Sequence, residues 1–110
     1  MSLDLTRKKC GPCEAGTPPM PADEIARHQA ELSERWQVEE GHHLKGAFKF
    51  KNFLEALDFT NQVGELAEEE GHHPDICLTW GKADVKIYTH AIDGLSENDF
   101  ILAAKIDQLL

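Results

Sequence analysis

The stretch from Asn52 to Pro74 constrains the fold of this chain more than any other. Phe53, Ala56, Phe59, Val63, Leu66 and Ala67 recur at helical spacing, with polar residues between them. Asn52 stands where an N-cap belongs, Gly71 is a natural C-cap, and Pro74 forbids continuation. The pattern predicts one helix over 53–70 with both ends fixed. A helix with one apolar stripe must bury it against another element, and the flanking segments supply that element.

Strand pairs lie on both sides. Trp36-Gln37-Val38-Glu39 alternates apolar and polar, and after Gly41 the run 44–50 does so again, which predicts a β-hairpin. Runs 75–80 and 83–89, joined at Gly81-Lys82, predict a second. Ahead of the first hairpin, Pro21-Ala22-Asp23-Glu24-Ile25 opens a helix with proline and acids in its first turn. Ile25, Gln29 and Leu32 share one face, with an expected end near Glu34. After the second hairpin, Ser96-Glu97-Asn98-Asp99 has the form of a capping box. It opens a helix whose stripe is Leu102, Ala103, Ile106, Leu109 and Leu110. The predicted order is αββαββα, an α+β fold in which a four-stranded antiparallel sheet carries helices on one face. The other face carries polar residues, to be solvated or used for assembly.

A length of 110 residues suits one domain, read as 21–110, behind a flexible Gly/Pro-rich leader at 1–20. The net charge of −9 repels phosphate backbones, and no basic stripe interrupts it, so nucleic-acid binding is not expected. Apolar runs are only a few residues long and the N-terminus lacks the apolar core of a secretory signal. No membrane partner and a cytoplasmic location are the expectation. Three cysteines include a CxxC at Cys10 and Cys13. Cys77 alone cannot complete a zinc ribbon, and a Gly/Pro-rich leader is no thioredoxin-type strand-to-helix turn, so a reduced pair is expected. Cys77, among apolar neighbours, reads as a small buried hydrophobe.

The string EEGHH occurs twice, at 39–43 and at 69–73. In the first copy Gly41 makes a hairpin bend, and His42 and His43 read as exposed polar residues at its tip. In the second, glycine ends a helix and the histidines enter a strand. Adjacent histidines on extended chain point in different directions, so they can line two walls of a cleft. Glu68 lies four residues before His72. If Trp80 pairs with Ala83, residues 73–75 come opposite 88–90, which puts His90 at the same sheet end as His73. Three imidazoles and a carboxylate then gather in one place. Acid–base chemistry, metal binding and plain structural histidines all stay open on this pattern, although helical HExxH ligand spacing is missing.

Glu68, His72-His73-Pro74, Trp80, His90 and Asp99 together resemble the signature of the pterin-4a-carbinolamine dehydratases. Thr89-His90 followed by Gly94-Leu95-Ser96-Glu97, Trp36 after the first helix, and Phe50-Lys51-Asn52-Phe53 extend the resemblance from about Pro21 to the C-terminus. The leader with Cys10 and Cys13 is similar to that of microbial members. The resemblance implies dehydration of 4a-hydroxytetrahydropterin to quinonoid dihydropterin, in recycling the cofactor of aromatic amino-acid hydroxylases, with no metal and no organic cofactor. It implies His72, His73 and His90 as catalytic and pterin-contacting residues. Glu68 would orient His72, and Asp99 would act at a helix N-terminus or serve only as the capping partner of Ser96. Pro74, Thr89 and Ala91 would flank the ring, and Trp80 would form a pocket wall or pack in the sheet. Family members form dimers and tetramers through the sheet and the last helix, so a homodimer or homotetramer is implied. A phenylalanine hydroxylase is the implied pathway partner. Related proteins of this fold act as pterin-binding, assembly or transcription-cofactor modules, and a dehydratase of molybdopterin metabolism is a further alternative.

Overall fold

The structure is a computed structural model that describes residues 4–11 and 16–110. Cys13, and with it the reading of the Cys10/Cys13 pair, lies outside the described residues. In chain order the elements are α1 (Ala22–Gln29), β1 (Trp36–Glu39), β2 (His43–Lys49), α2 (Phe53–Glu70), β3 (Asp75–Thr79), β4 (Lys82–Ile87) and α3 (Glu97–Asp107). Single 3-10 turns at Leu5–Arg7 and His90–Ile92 stand before α1 and after β4. The expected order αββαββα is observed.

All neighbouring strands are antiparallel, in the order β1-β2-β4-β3. The pleat divides them cleanly. Trp36, Leu44, Phe48, Ala83, Val85 and Ile87 are buried towards the helices. Lys45, Lys49, Lys82, Lys86, Asp75 and Asp84 fall on the opposite, open face. In β3 the same alternation puts Cys77 on the open face and leaves it exposed, because it pairs with Asp84 while Ile76 pairs with Val85. It is not the buried hydrophobe that its apolar neighbours suggested.

Trp36 anchors the sheet to the last helix. Its indole N–H donates to Asp107 Oδ1 at 2.9 Å, and Ser33 donates to the same carboxylate through its amide and hydroxyl. Helix α3 buries Phe100, Ile101, Leu102, Ala103, Ala104 and Ile106, so apolar residues surround its axis. A helix of that kind is a core element. It contacts α1, α2 and the Leu5–Arg7 turn. Of the expected stripe, Leu102, Ala103 and Ile106 are enclosed within the chain, while Leu110 at its end is 59% exposed.

Other boundaries differ from expectation. Helix α1 stops at Gln29 rather than near Glu34, and buries His28 beside Ile25. Phe53 at the start of α2 is 41% exposed and is not part of its buried stripe. The second hairpin turns at Trp80-Gly81, since Thr79 pairs with Lys82 and Asp75 with Lys86. That register is shifted by two residues from the expected one. Leu5, within the expected leader, is 2% exposed and belongs to the core cluster.

Gly46 of β2 faces the Trp36 ring, and a Cβ there would lie 2.8 Å from two of its carbons. The ring cannot retreat while the Asp107 bond and full burial hold it. Gly46→Ala is expected to destabilise the fold by about 1–3 kcal/mol. Urea unfolding should show a lower midpoint with an unchanged slope. A midpoint equal to that of the parent would show that the sheet has room there.

Candidate active site

The end of α2 decides where the histidines go. Gly71 adopts the left-handed conformation (φ 65°), and its N–H bonds back to Glu68 O while the N–H of His72 bonds to Ala67 O at 3.2 Å. This pair of bonds is a Schellman motif. It reverses the chain and turns His72 inwards, across to the first turn of α3. There His72 Nε2 lies 2.5 Å from Asp99 Oδ1. The following residue, His73, points outwards, and its Nε2 meets Glu68 Oε1 at 2.9 Å on the exposed surface.

Asp99 has no solvent-accessible surface. An ionised carboxylate in such a place requires donors on both oxygens. Oδ2 accepts from the Ser96 amide at 2.8 Å and from the Thr89 hydroxyl at 2.9 Å, while Oδ1 faces His72. Thr89 has one hydroxyl proton and gives it to Asp99, so the 2.7 Å contact between Thr89 and Ser96 is donated by Ser96. With Asp99 acting only as acceptor, His72 carries its proton on Nε2. Asp99 is thus the helix-capping partner of Ser96 and meets a histidine as well, a pairing the sequence reading did not name.

Thr89 also holds the loop that follows β4. It forms an isolated bridge with Gly94, with Thr89 N–H donating to Gly94 O at 2.9 Å. The short loop between them contains the 3-10 turn that carries His90 and Ala91. The His90 ring packs against Tyr88, with centroids 4.2 Å apart and near-perpendicular planes. Tyr88 in turn contacts His42 at 4.6 Å, and His42 Nε2 reaches Asp93 Oδ1 at 2.7 Å.

His72, His73, Thr89, His90 and Ala91 line one cleft of about 270 Å³, completed by Gly71, Asn98 and Gly11. Three imidazoles, one backed by a buried carboxylate, thus face a common space. Such a set can hold one group as proton acceptor and another as donor. Among the described residues no three His, Cys, Asp or Glu side chains are arranged to hold a metal ion.

The structure brings together most of the residues singled out in the sequence, with changed pairings. Glu68 serves His73 rather than His72, because the Schellman turn ends the helical geometry on which the i−4 argument relied. Pro74 leads directly into β3 and is not among the cleft residues. Trp80 stands at the far end of β3, at the hairpin turn, 73% exposed, and forms no wall of this cleft within the chain. The first EEGHH is not a free tip either. His43 begins β2 and is 9% exposed, bonded to Glu39 at 3.1 Å, and His42 is tied to the loop of His90. Gly11, Asn98 and Tyr88 were not singled out in the sequence: Gly11 reaches the site from a distant segment, and Asn98 and Tyr88 stand beside Asp99 and Thr89 without a motif of their own.

The family model described as Pterin 4 alpha carbinolamine dehydratase matches residues 18–109. A relative from Alkaliphilus metalliredigens, named for pterin-4-alpha-carbinolamine dehydratase, is 57% identical over 96% of this chain and 95% of its own. Another under that name, from Rubrobacter xylanophilus, is 53% identical over 96% of this chain and 98% of its own. A crystal structure from Brucella melitensis, described as a transcriptional coactivator/pterin dehydratase, matches with a TM-score of 0.77 and 29% identity. It covers 83% of this chain and 97% of that one. Similarity of this extent, over the same elements that build the histidine cleft, establishes that the chain belongs to the pterin 4 alpha carbinolamine dehydratase family of hydro-lyases.

Proposed function

We propose that this chain dehydrates 4a-hydroxytetrahydropterins by acid–base catalysis from the histidine cleft. The observation that carries this reading is the His72–Asp99 pair, buried on one side and open to the cleft on the other. In the reaction the bond from C4a to its hydroxyl breaks and a double bond forms between C4a and N5. The N5 proton passes to a base, and the hydroxyl takes a proton from an acid and leaves as water. Hydroxide is a poor leaving group and N5–H a weak acid, so both transfers gain from positioned imidazoles.

His72 is suited to the base. Its Nε2–H is committed to Asp99, which leaves Nδ1 for the substrate and stabilises the imidazolium that forms. His73 and His90, elsewhere around the cleft, are placed to supply the acid. Glu68 holds His73 through its Nε2, and Tyr88 packs against the His90 ring. The Thr89 and Ala91 backbone flanks the ring of the pterin. The quinonoid product fits a role in returning tetrahydropterin to aromatic amino-acid hydroxylases, in the cytoplasm and as a homo-oligomer. Chemistry that needs no metal is part of the proposal. The Brucella neighbour's description as a coactivator raises a second reading, a binding module of this fold, and turnover separates the two.

With chemically made 4a-hydroxytetrahydropterin, the purified protein should accelerate dehydration above the background measured at each pH. The rate should pass through a maximum with pH, because one imidazole must be neutral while another is protonated. Asp99→Asn should lower kcat/KM by about 10²-fold while leaving the circular dichroism spectrum unchanged. A subtracted rate of zero throughout would remove the dehydratase reading and favour the binding module.

The repeated string offers an internal comparison. Replacing His72 and His73 with alanine should cost about 10²–10⁴-fold in rate, whereas His42→Ala should cost only a few-fold through the Asp93 loop. Equal losses would place the chemistry elsewhere. Finally, activity should survive chelation and desalting, with no stoichiometric zinc or iron by elemental analysis. Activity that falls with metal removal and returns on readdition would overturn the metal-free chemistry.

A further inference from the structure

The described N-terminal residues do not trail away from the domain. Leu5 is sunk into the core at 2% exposure and fixes one end. From there Lys8 Nζ reaches Glu97 Oε2 at 3.0 Å, on a carboxylate that also meets His28 Nε2 at 3.1 Å. The Cys10 amide donates to Glu70 Oε1 at 3.0 Å, and the other oxygen of Glu70 takes Lys105 Nζ at 2.8 Å. Gly11 then exchanges two bonds with one side chain. Its N–H donates to Asn98 Oδ1 at 3.0 Å, and its carbonyl accepts from Asn98 Nδ2 at 2.7 Å.

The positions of these partners give the contacts meaning. Glu70 stands two residues before His72, and Asn98 stands immediately before Asp99. The N-terminal segment thus bonds to the last residue of α2 and the first turn of α3, the two elements whose side chains meet in the His72–Asp99 pair. Gly11 and Asn98 also border the cleft itself. We propose that residues 4–11 are a strap that completes the cleft and positions Asp99 against His72, with Asn98 as a positioning residue held by the Gly11 peptide.

The strap lies outside the shared domain, since the family model begins at residue 18. The Alkaliphilus relative nevertheless aligns over 105 residues, 96% of this chain, so its similarity extends into the strap. Positioning of this kind acts on rate. A reacting group displaced by a fraction of an ångström to 1 Å loses much of its effectiveness, and the His72–Asp99 contact joins the residue just past α2 to the first turn of α3.

The inference rests on the dehydratase reading for its kinetic arm, and a second readout stands free of it. In 15N-histidine-labelled protein, the Nε2–H proton of His72 should give a protected resonance, because Asp99 holds it away from water. Two variants are compared with the full chain: one shortened by residues 1–11, and Asn98→Ala in the full chain, which removes both bonds to Gly11. Each should exchange that proton with water at least about tenfold faster and lower kcat about tenfold. Asn98→Asp, which keeps the acceptor for the Gly11 N–H, should fall between them and the parent. If the shortened chain does not fold, Asn98→Ala decides alone. An unchanged resonance and unchanged kinetics in Asn98→Ala would show that the strap is packing without a role in the site. Should the parent chain have no turnover, the dehydratase reading fails while proton exchange still decides whether the strap positions His72.

Discussion

A buried carboxylate governs this molecule. Asp99 is cut off from water, and an ionised group there is tolerable only if both of its oxygens face donors. The donors come from three separate places: His72 just past α2, Thr89 just past β4, and the Ser96 amide at the start of α3. The charge therefore requires those three ends to converge. Removing any one donor leaves an unpaired lone pair in a low-dielectric interior, which costs more than the bond itself gains. The same requirement makes the site directional. His72 meets Asp99 through Nε2 and also lines the cleft.

The elements were legible because their signals are local. Asn52, Gly71 and Pro74 bracket α2, and the alternation on each side sets four strands whose apolar positions must face that helix. His72, His73 and His90 were also legible as a group from the sheet end, and Thr89 and Ala91 came with the family resemblance. Their pairings were not. The turn after Gly71 sends successive residues in opposite directions, so the carboxylate nearest in sequence, Glu68, serves the outward His73. The carboxylate for His72 comes from 27 residues away. Nothing in a spacing argument distinguishes these outcomes, because they depend on whether the helix continues or ends in a left-handed cap.

Three further differences share one cause, which is that apolar character does not specify depth. Cys77 has apolar neighbours on both sides, but in a strand neighbours face away, and it is exposed for that reason. Trp80 was expected as the last strand residue before the turn, but with Thr79 paired to Lys82 it is a turn residue and stands exposed. Leu5 is the converse case. Two leucines, Leu3 and Leu5, in an otherwise polar stretch are too few to set a periodicity, yet a core built around α3 encloses Leu5. Short segments anchored by one side chain are invisible to pattern reading, although they can contribute bonds to a site.

Within that segment, Cys10 shows that a reactive-looking motif can be held inert by its surroundings. Burial, followed by the charge and hydrogen bond of Glu70, pushes its thiol up to about 12. At neutral pH it remains protonated, a poor nucleophile and a poor metal ligand. What the strap uses is the Cys10 amide. Burial works to raise the carboxyl of Glu70, but the hydrogen bond and charge of Lys105, with the Cys10 N–H, outweigh it and hold the group below its ordinary value of 4.5. A carboxyl lowered on folding adds stability above its ordinary range and loses it as pH falls through the lower folded value. The Glu70 anchor is therefore fully charged near neutral pH. The bond between the strap and the end of α2 is thus lost only on acidification below the ordinary carboxyl range.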